Sequence, residues 1–126
     1  MKSSVYASRY DDIKYYSEYN GSDYIQLSDN HTIWKLDSLD MSVDDDTAED
    51  MDYLYYSLVY SACQKFQEKS GVEVFLLGRS GRHVCVEDTD QNRRRYRSLC
   101  NLQSKLEKWV IDTYNKEVAK INNEQV

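Results

Sequence analysis

Two segments of the chain repeat apolar residues at the three- and four-residue spacing of an amphipathic helix. The apolar positions of the first segment are Met51, Leu54, Tyr55, Leu58, Val59, Ala62, Cys63 and Phe66, and those of the second are Leu99, Leu102, Leu106, Trp109, Val110 and Tyr114. Because an α-helix has about 3.6 residues per turn, each set falls on one face. The pattern predicts two helices, each with one buried side.

Polar residues and glycine set the limits of these helices. The first is predicted over residues 47–70, with Thr47 or Asp46 as its N-cap and Gly71 as its stop. The second is predicted over residues 89–122, and Asp88 or Thr89 is the residue that caps it.

The remaining apolar residues follow the two-residue alternation of strands. Residues 1–36 are rich in Tyr, Ile, Val, Thr and Trp between short polar breaks, which predicts a β-meander with strands at 3–9, 13–19, 23–28 and 31–36. The Asn20-Gly21 pair is a strong hairpin signal. Residues 72–87 predict a second hairpin, in which "GRSGR" turns the chain and Gly81 takes a positive φ.

The order of elements predicts an α+β fold. Residues 1–126 form a single domain, in which an antiparallel sheet combines the N-terminal meander with the later hairpin. Two helices pack on one face of this sheet. Residues 37–46 lack a clear period and are predicted to form a loop between the meander and the first helix.

Composition agrees with one folded domain. The chain has 126 residues, 40% of them hydrophobic, with twelve Tyr and no Pro. Three widely spaced cysteines indicate free thiols in a reducing compartment. The first residues are polar, and the longest apolar run is "VFLL", so we expect a cytoplasmic protein with no membrane contact.

Charge is divided unevenly along the chain. The net charge is −6, but residues 1–60 hold 13 Asp and Glu against 4 Lys and Arg, whereas residues 61–126 hold 9 against 12. The two parts therefore carry −9 and +3. This asymmetry predicts a positively charged partner for the first part.

Eight of the thirteen acids of residues 1–60 lie in one stretch, which we call the acidic segment. Its members are Asp37, Asp40, Asp44, Asp45, Asp46, Glu49, Asp50 and Asp52, eight acids in sixteen residues, and no Lys or Arg occurs between Lys35 and Lys65. Acids at a helix N-terminus are favourable, which explains part of the cluster as a solvated helix start. The other interpretation is a surface that imitates nucleic-acid phosphate and binds a basic protein. The spacing does not match a calcium loop, since positions 5 and 12 from Asp44 are Ala48 and Tyr55.

A basic cluster gives the alternative function, a nucleic-acid-binding regulator. Its members are Arg79, Arg82, Arg93, Arg94, Arg95, Tyr96 and Arg97. Arginines can contact phosphates and Tyr96 can stack on a base. We favour the interpretation that Arg93, Arg94 and Arg97 form ion pairs with Glu87, Asp88, Asp90 or the acidic segment itself, because acids surround the cluster and the chain is acidic.

Enzyme signatures are missing from the sequence. His83 and Cys85 would share one face of a strand, but packing explains them better than a catalytic dyad. The "GRSGRH" turn lacks the Lys-Ser/Thr ending of a phosphate loop. We therefore predict no catalytic residue, no metal site and no cofactor.

The stretches "DDDTAEDMD" and "YDDIKYYSEY" resemble the acidic faces of anti-CRISPR proteins and other DNA-mimic inhibitors. The resemblance implies a small protein from a phage or mobile element that inhibits a basic nucleic-acid-handling protein, such as an RNA-guided nuclease. These inhibitors share no common fold, so no residue role is transferred. The arginines depart from a purely acidic mimic, and their charge makes head-to-tail self-association into a homodimer possible.

Overall fold

The elements of the fold follow the predicted order of strands and helices. A computed structural model describes residues 16–19, 22–29, 31–40, 42–78 and 83–124. The strands are β1 (Tyr16–Tyr19), β2 (Ser22–Ser28), β3 (Phe75–Leu77) and β4 (His83–Glu87), and the helices are η1 (His31–Lys35, a 3-10 helix), α1 (Asp45–Ser70), α2 (Asp90–Arg94) and α3 (Tyr96–Glu124).

The strands form one antiparallel sheet in the order β1-β2-β4-β3. The predicted α+β class is therefore confirmed, with a sheet made from N-terminal strands and the later hairpin. At the centre, Ile25 of β2 lies opposite Val86 of β4, and both are fully buried. The predicted strand at 3–9 and the turn around Gly81 lie outside the described residues.

The strand predicted at residues 31–36 is wrong, because this segment forms η1. A meander would place it beside β2, but β4 occupies that edge of β2. Without a strand partner, the segment satisfies its backbone in a helical turn. Thr32 turns inward and its hydroxyl lies 3.3 Å from that of Tyr55, while Ile33 and Trp34 are 61% and 75% exposed.

Helix α1 begins two residues before the predicted start. Asp44 is the N-cap, and its carboxylate accepts a hydrogen bond of 2.7 Å from the backbone N–H of Thr47. The predicted stop is confirmed: Gly71 adopts φ 70°, and its N–H donates to the carbonyl of Gln67. The acidic segment is thus divided between a loop and the first two turns of α1.

The helix predicted over 89–122 is interrupted at Arg95, which separates α2 from α3. Thr89 is the N-cap, as predicted, and its hydroxyl accepts a hydrogen bond from the backbone N–H of Asn92. The guanidinium of Arg95 donates to the carbonyl of Ser70, so the end of α1 meets the start of α3. Further along, Tyr55 contacts Tyr114, and the two long helices therefore run antiparallel.

The core joins the two long helices to the centre of the sheet. Its buried residues are Ile25 and Leu27 of β2, Val86 of β4, Met51, Leu58, Ala62 and Phe66 of α1, and Tyr96, Leu99, Leu106, Val110, Tyr114 and Val118 of α3. Helix α3 contacts both β2 and α1. Both predicted helical stripes are confirmed by this burial. Within the described ranges, no helix has the length and apolar character needed to cross a membrane.

Candidate protein-binding surface

The acidic segment lies on the surface at one end of the two long helices. All eight of its acidic residues are exposed. Three lie in the loop before α1, counting the N-cap, and five lie in the first two turns of α1. None of the eight forms an ion pair with a residue that the structure describes. Their charge therefore faces solvent.

Two asparagines of α3 hold the loop part of the segment in place. The side-chain carbonyl of Asn115 accepts from the N–H of Asp37 at 2.8 Å, and its amide donates to the carbonyl of Lys35. Asn122 repeats this arrangement on the N–H of Asp40 and the carbonyl of Ser38. The two asparagines are seven residues apart, so they lie on the same face of the helix. They bind the loop by its backbone and leave the carboxylates free to project.

Two acids of the segment have local hydrogen bonds that favour their charged form. The backbone N–H and the hydroxyl of Ser42 hold the pKa of Asp40 below its ordinary value. The side chain and backbone N–H of Thr47 do the same for the pKa of Asp44. Both groups are therefore ionised at neutral pH. These hydrogen bonds lie within the loop and the N-cap. They leave the negative charge of both carboxylates unneutralised.

Three tyrosines continue this surface along α1. Tyr53, Tyr56 and Tyr60 are 77%, 70% and 66% exposed. We call them the tyrosine stripe. Their spacing of three and four residues places them on one face, opposite the buried positions of the helix.

The binding residues predicted from the sequence do not include the tyrosine stripe. It had a detectable signal, because Tyr53, Tyr56 and Tyr60 are the aromatic residues of residues 51–66 that fall outside the predicted buried stripe. Tyrosine is enriched at protein interfaces, where its ring provides contact area and its hydroxyl stays hydrated. An exposed tyrosine face beside exposed acids is therefore a candidate interface.

The basic cluster has a different role in the described structure. Arg93 is buried against Asp88, with N–O distances of 2.5 and 2.9 Å. Arg94 pairs with Asp90, and Arg95 bonds to the carbonyl of Ser70. Tyr96 is buried, whereas Arg97 is exposed. Arg79 and Arg82 lie outside the described residues.

The favoured interpretation of these arginines, internal ion pairing, is therefore confirmed for Arg93 and Arg94. None of the described ion pairs joins the cluster to the acidic segment. The described arginines of the cluster therefore leave the negative charge of the acidic segment unneutralised.

A lysine surface lies on α3, around Trp109. Lys105, Lys108 and Lys116 line an open groove beside the indole, and Lys108 pairs with Asp112 at 2.9 Å. The ammonium of Lys65 lies 3.6 Å from the centre of the Trp109 ring, a cation–π contact between α1 and α3.

The candidate dyad is built into the sheet. Cys85 is fully buried, and its cross-strand neighbours are Gln26 and Phe75. His83 Nδ1 lies 2.6 Å from the side-chain carbonyl oxygen of Gln26, and the amide Nε2 of Gln26 donates to the carboxylate of Asp29. These contacts give both side chains a structural role in the sheet.

Comparisons with known proteins add no relative to this description. A scan against protein-family models and searches of curated proteins and solved structures find no match to the chain. In the described ranges, no three His, Cys, Asp or Glu side chains come together as a potential metal site. The features that indicate a function are therefore the acidic segment and the tyrosine stripe.

Proposed function

We propose that this protein is a non-enzymatic inhibitor of the type carried by phages and mobile elements. It binds a basic nucleic-acid-handling protein, such as a CRISPR RNA-guided nuclease, through an acidic face that imitates DNA. The observation that supports this proposal is the exposure of all eight carboxylates without an ion pair to a described residue. The protein would act in the cytoplasm of the host cell, where such a partner works.

The charge density of the acidic face is close to that of a nucleic acid. Five acids occur between Asp45 and Asp52, in the first two turns of α1. At about 1.5 Å of rise per residue, they occupy about 10 Å of helix axis, or one charge per roughly 2 Å. Duplex DNA carries one charge per roughly 1.7 Å. A groove that binds DNA backbone would therefore meet a comparable field.

An acidic cluster without cations lowers the stability of its own fold through repulsion. The macrodipole of α1 offsets part of this for Asp45 and Asp46 in its first turn. The macrodipole does not extend to Asp37 and Asp40. Hydrogen bonds from their backbone N–H groups to the side chains of Asn115 and Asn122 hold these two residues near α3. A binding role explains why the loop displays acids there.

The proposal predicts that binding depends on the charge of the segment. The test variant replaces Asp44, Asp45, Asp46 and Asp50 by Asn, which keeps size and, at the N-cap, keeps a capping side chain. We expect the affinity for the partner to fall by at least a hundredfold, since interfacial charges next to a basic groove act together. The partner is captured on immobilised protein from nuclease-treated bacterial lysate at low salt, and its Kd is then measured.

A matched control removes the same amount of charge elsewhere. Glu68, Glu73, Glu87 and Glu124 are exposed acids outside the segment, and their replacement by Gln should leave the affinity nearly unchanged. Duplex DNA should compete with the wild-type protein for the captured partner. Equal affinity of the wild type and the Asn variant would contradict the proposal, and so would a partner that binds this protein and DNA at the same time.

The alternative function, nucleic-acid binding by the arginines, has less support from the described residues. Arg93 is buried in its ion pair, and Arg94 and Arg95 are engaged with Asp90 and Ser70. A direct measurement with fluorescent DNA and RNA separates the two functions. Tight, salt-sensitive binding of either probe would favour the alternative.

A further inference from the structure

The exposed tyrosines and the acids of α1 alternate on a single helix surface. Glu49 is four residues before Tyr53, and Asp52 is four residues before Tyr56. Residues at this spacing are neighbours on a helix, with about 5–6 Å between their Cβ atoms. Each of these two rings therefore has a carboxylate one turn away. A ligand that touches the ring reaches the carboxylate as well.

Part of the tyrosine stripe is held by the fold before any partner binds. The ring of Tyr56 packs edge-on against Tyr55, with 5.4 Å between centroids, and Tyr55 packs edge-on against the buried Tyr114 at 6.2 Å. This series of contacts connects the surface to the core. A ring that is already positioned loses less conformational entropy on binding, which favours affinity.

The chemistry of this surface matches one cationic side chain better than the others. An arginine guanidinium is planar, so it can stack on an aromatic face and bond to a carboxylate with two parallel N–H groups. A lysine ammonium is a strongly hydrated point charge and makes no bidentate contact. Charge disfavours an acidic occupant, because Glu49, Asp50 and Asp52 lie one turn from Tyr53 or Tyr56 on the helix.

We propose that the tyrosine stripe and its flanking carboxylates form one docking site for an arginine-bearing surface of the partner protein. Guanidinium groups stack on Tyr53, Tyr56 and Tyr60, and they pair with Glu49, Asp50 and Asp52. This inference rests on the proposed function and names the chemistry of its partner. It requires more than charge: the acids attract any cation and can bind a guanidinium with two hydrogen bonds, and the aromatic rings add a further preference for arginine.

The lysine surface of a second copy is the main competing occupant. It consists of Lys105, Lys108 and Lys116, and it contains no arginine. A site that selects guanidinium groups would prefer another protein to this surface. The test must therefore distinguish self-association from binding to an arginine-bearing partner.

The test uses two synthetic helical peptides as probes and the full-length protein. One peptide presents arginines along one face, and the other has lysine at each of those positions. We expect the wild-type protein to bind the arginine peptide about tenfold more tightly than the lysine peptide, because a guanidinium lies flat on a ring and pairs with a carboxylate through two N–H groups, whereas an ammonium does neither. Binding is measured by fluorescence anisotropy at low salt.

Two sets of variants decide whether the rings cause this preference. Replacing Tyr53, Tyr56 and Tyr60 by Leu keeps helix propensity and apolar area but removes the aromatic faces, so the preference for arginine should fall to what the carboxylates alone provide. Replacing them by Phe keeps the faces and should keep the preference. Circular dichroism checks that both sets of variants are folded. If the triple Leu variant does not fold, the single Tyr53→Leu variant replaces it as a milder change.

The outcomes separate this inference from the proposed function. Equal affinity for the two peptides, or an arginine preference that is undiminished in the Leu variant, overturns the inference. If the inference is overturned in this way but the Asn variant of the acidic segment loses both peptides, the proposed function stands without the inference. If the Asn variant binds both as the wild type does, the proposed function fails. A dimer in sedimentation experiments that the Leu variant abolishes would assign the stripe to a second copy and overturn the inference.

Discussion

Asp88 and Arg93 form the most buried ion pair of the described structure, with side-chain exposures of 0% and 1%. The backbone N–H of Asp88 also donates to the carbonyl of Asp23, which ties the start of this region to β2. A buried pair adds little net stability over an apolar pair of the same shape, because both charges lose their hydration. Removing one partner is different, since the other charge then stays buried alone.

The Arg93→Met substitution should therefore destabilise the fold strongly. We expect a loss of about 3–5 kcal/mol in the free energy of unfolding, measured by urea denaturation. Arg94→Met is the matched control: the Arg94 side chain is 62% exposed and pairs with Asp90 on the surface, so the loss should stay below about 1 kcal/mol. A similar loss for both variants would show that the buried charge is not the cause.

Asp44 gives a prediction about pH. Its hydrogen bonds to Thr47 lower its pKa from the ordinary value of 3.8. A lowered folded-state pKa means that the stabilisation is fully present above 3.8 and is lost as the pH falls through the folded-state value. Carboxyl NMR titration should place the Asp44 pKa below 3.8. The Asp44→Asn variant keeps the cap and should lose this part of the acid sensitivity; a normal Asp44 pKa would contradict the assignment.

At the scale of elements, the contact that matters most for the surface is the one between the loop and α3. Asn115 and Asn122 each accept one backbone N–H of the loop and donate to one of its carbonyls. The two side-chain amides thereby supply backbone hydrogen bonds of the kind that a neighbouring strand would provide, since residues 31–40 have no strand partner. The loop stays extended along the helix, and the position of Asp37 and Asp40 follows from α3.

Substituting Ala for Asn115 and Asn122 should release this loop without unfolding the domain. A net hydrogen bond contributes about 1 kcal/mol, so the amide protons of Asp37 and Asp40 should exchange about five- to tenfold faster. Hydrogen exchange followed by NMR measures this directly. Asn101→Ala, at an exposed position of α3, is the control and should leave both rates unchanged. Unaltered exchange in the double variant would mean that other contacts hold the loop.

At the scale of the whole molecule, the exposed acids of residues 37–52 form a surface region of one sign. The acidic segment covers the loop and the start of α1, while Lys105, Lys108 and Lys116 lie on the surface of α3. Fields of one sign accelerate the encounter with a partner of the opposite sign, and salt screens this effect over about 10 Å at 0.1 M. The acidic face should therefore act on association more than on dissociation.

Stopped-flow mixing with the arginine peptide tests this prediction. The association rate constant should fall by roughly tenfold or more when the ionic strength rises from about 0.01 M to 0.2 M, with a smaller change in dissociation. The Asn variant of Asp44, Asp45, Asp46 and Asp50 should associate slowly at both salt concentrations. An association rate that is independent of salt would argue against steering by this surface.

Several features of the protein could be predicted from local patterns because their causes are local. The apolar stripes of α1 and α3 follow from helical periodicity, and Gly71 ends α1 because it adopts a left-handed conformation without strain. Thr89 caps the next helix through a hydrogen bond three residues away. The exposure of Tyr53, Tyr56 and Tyr60 follows from the same periodicity, although it becomes evident only when the polar face is considered.

The sequence by itself determined the α+β class, the two long amphipathic helices and the concentration of negative charge in residues 37–52. Tertiary structure alone decided three further points. It made residues 31–35 a 3-10 helix, because β4 took the edge of β2. It removed Arg93 from the surface by burying it against Asp88. It left the acidic segment without a described ion pair, because charges interact through space, and the distance between an acid and an arginine depends on how the elements pack.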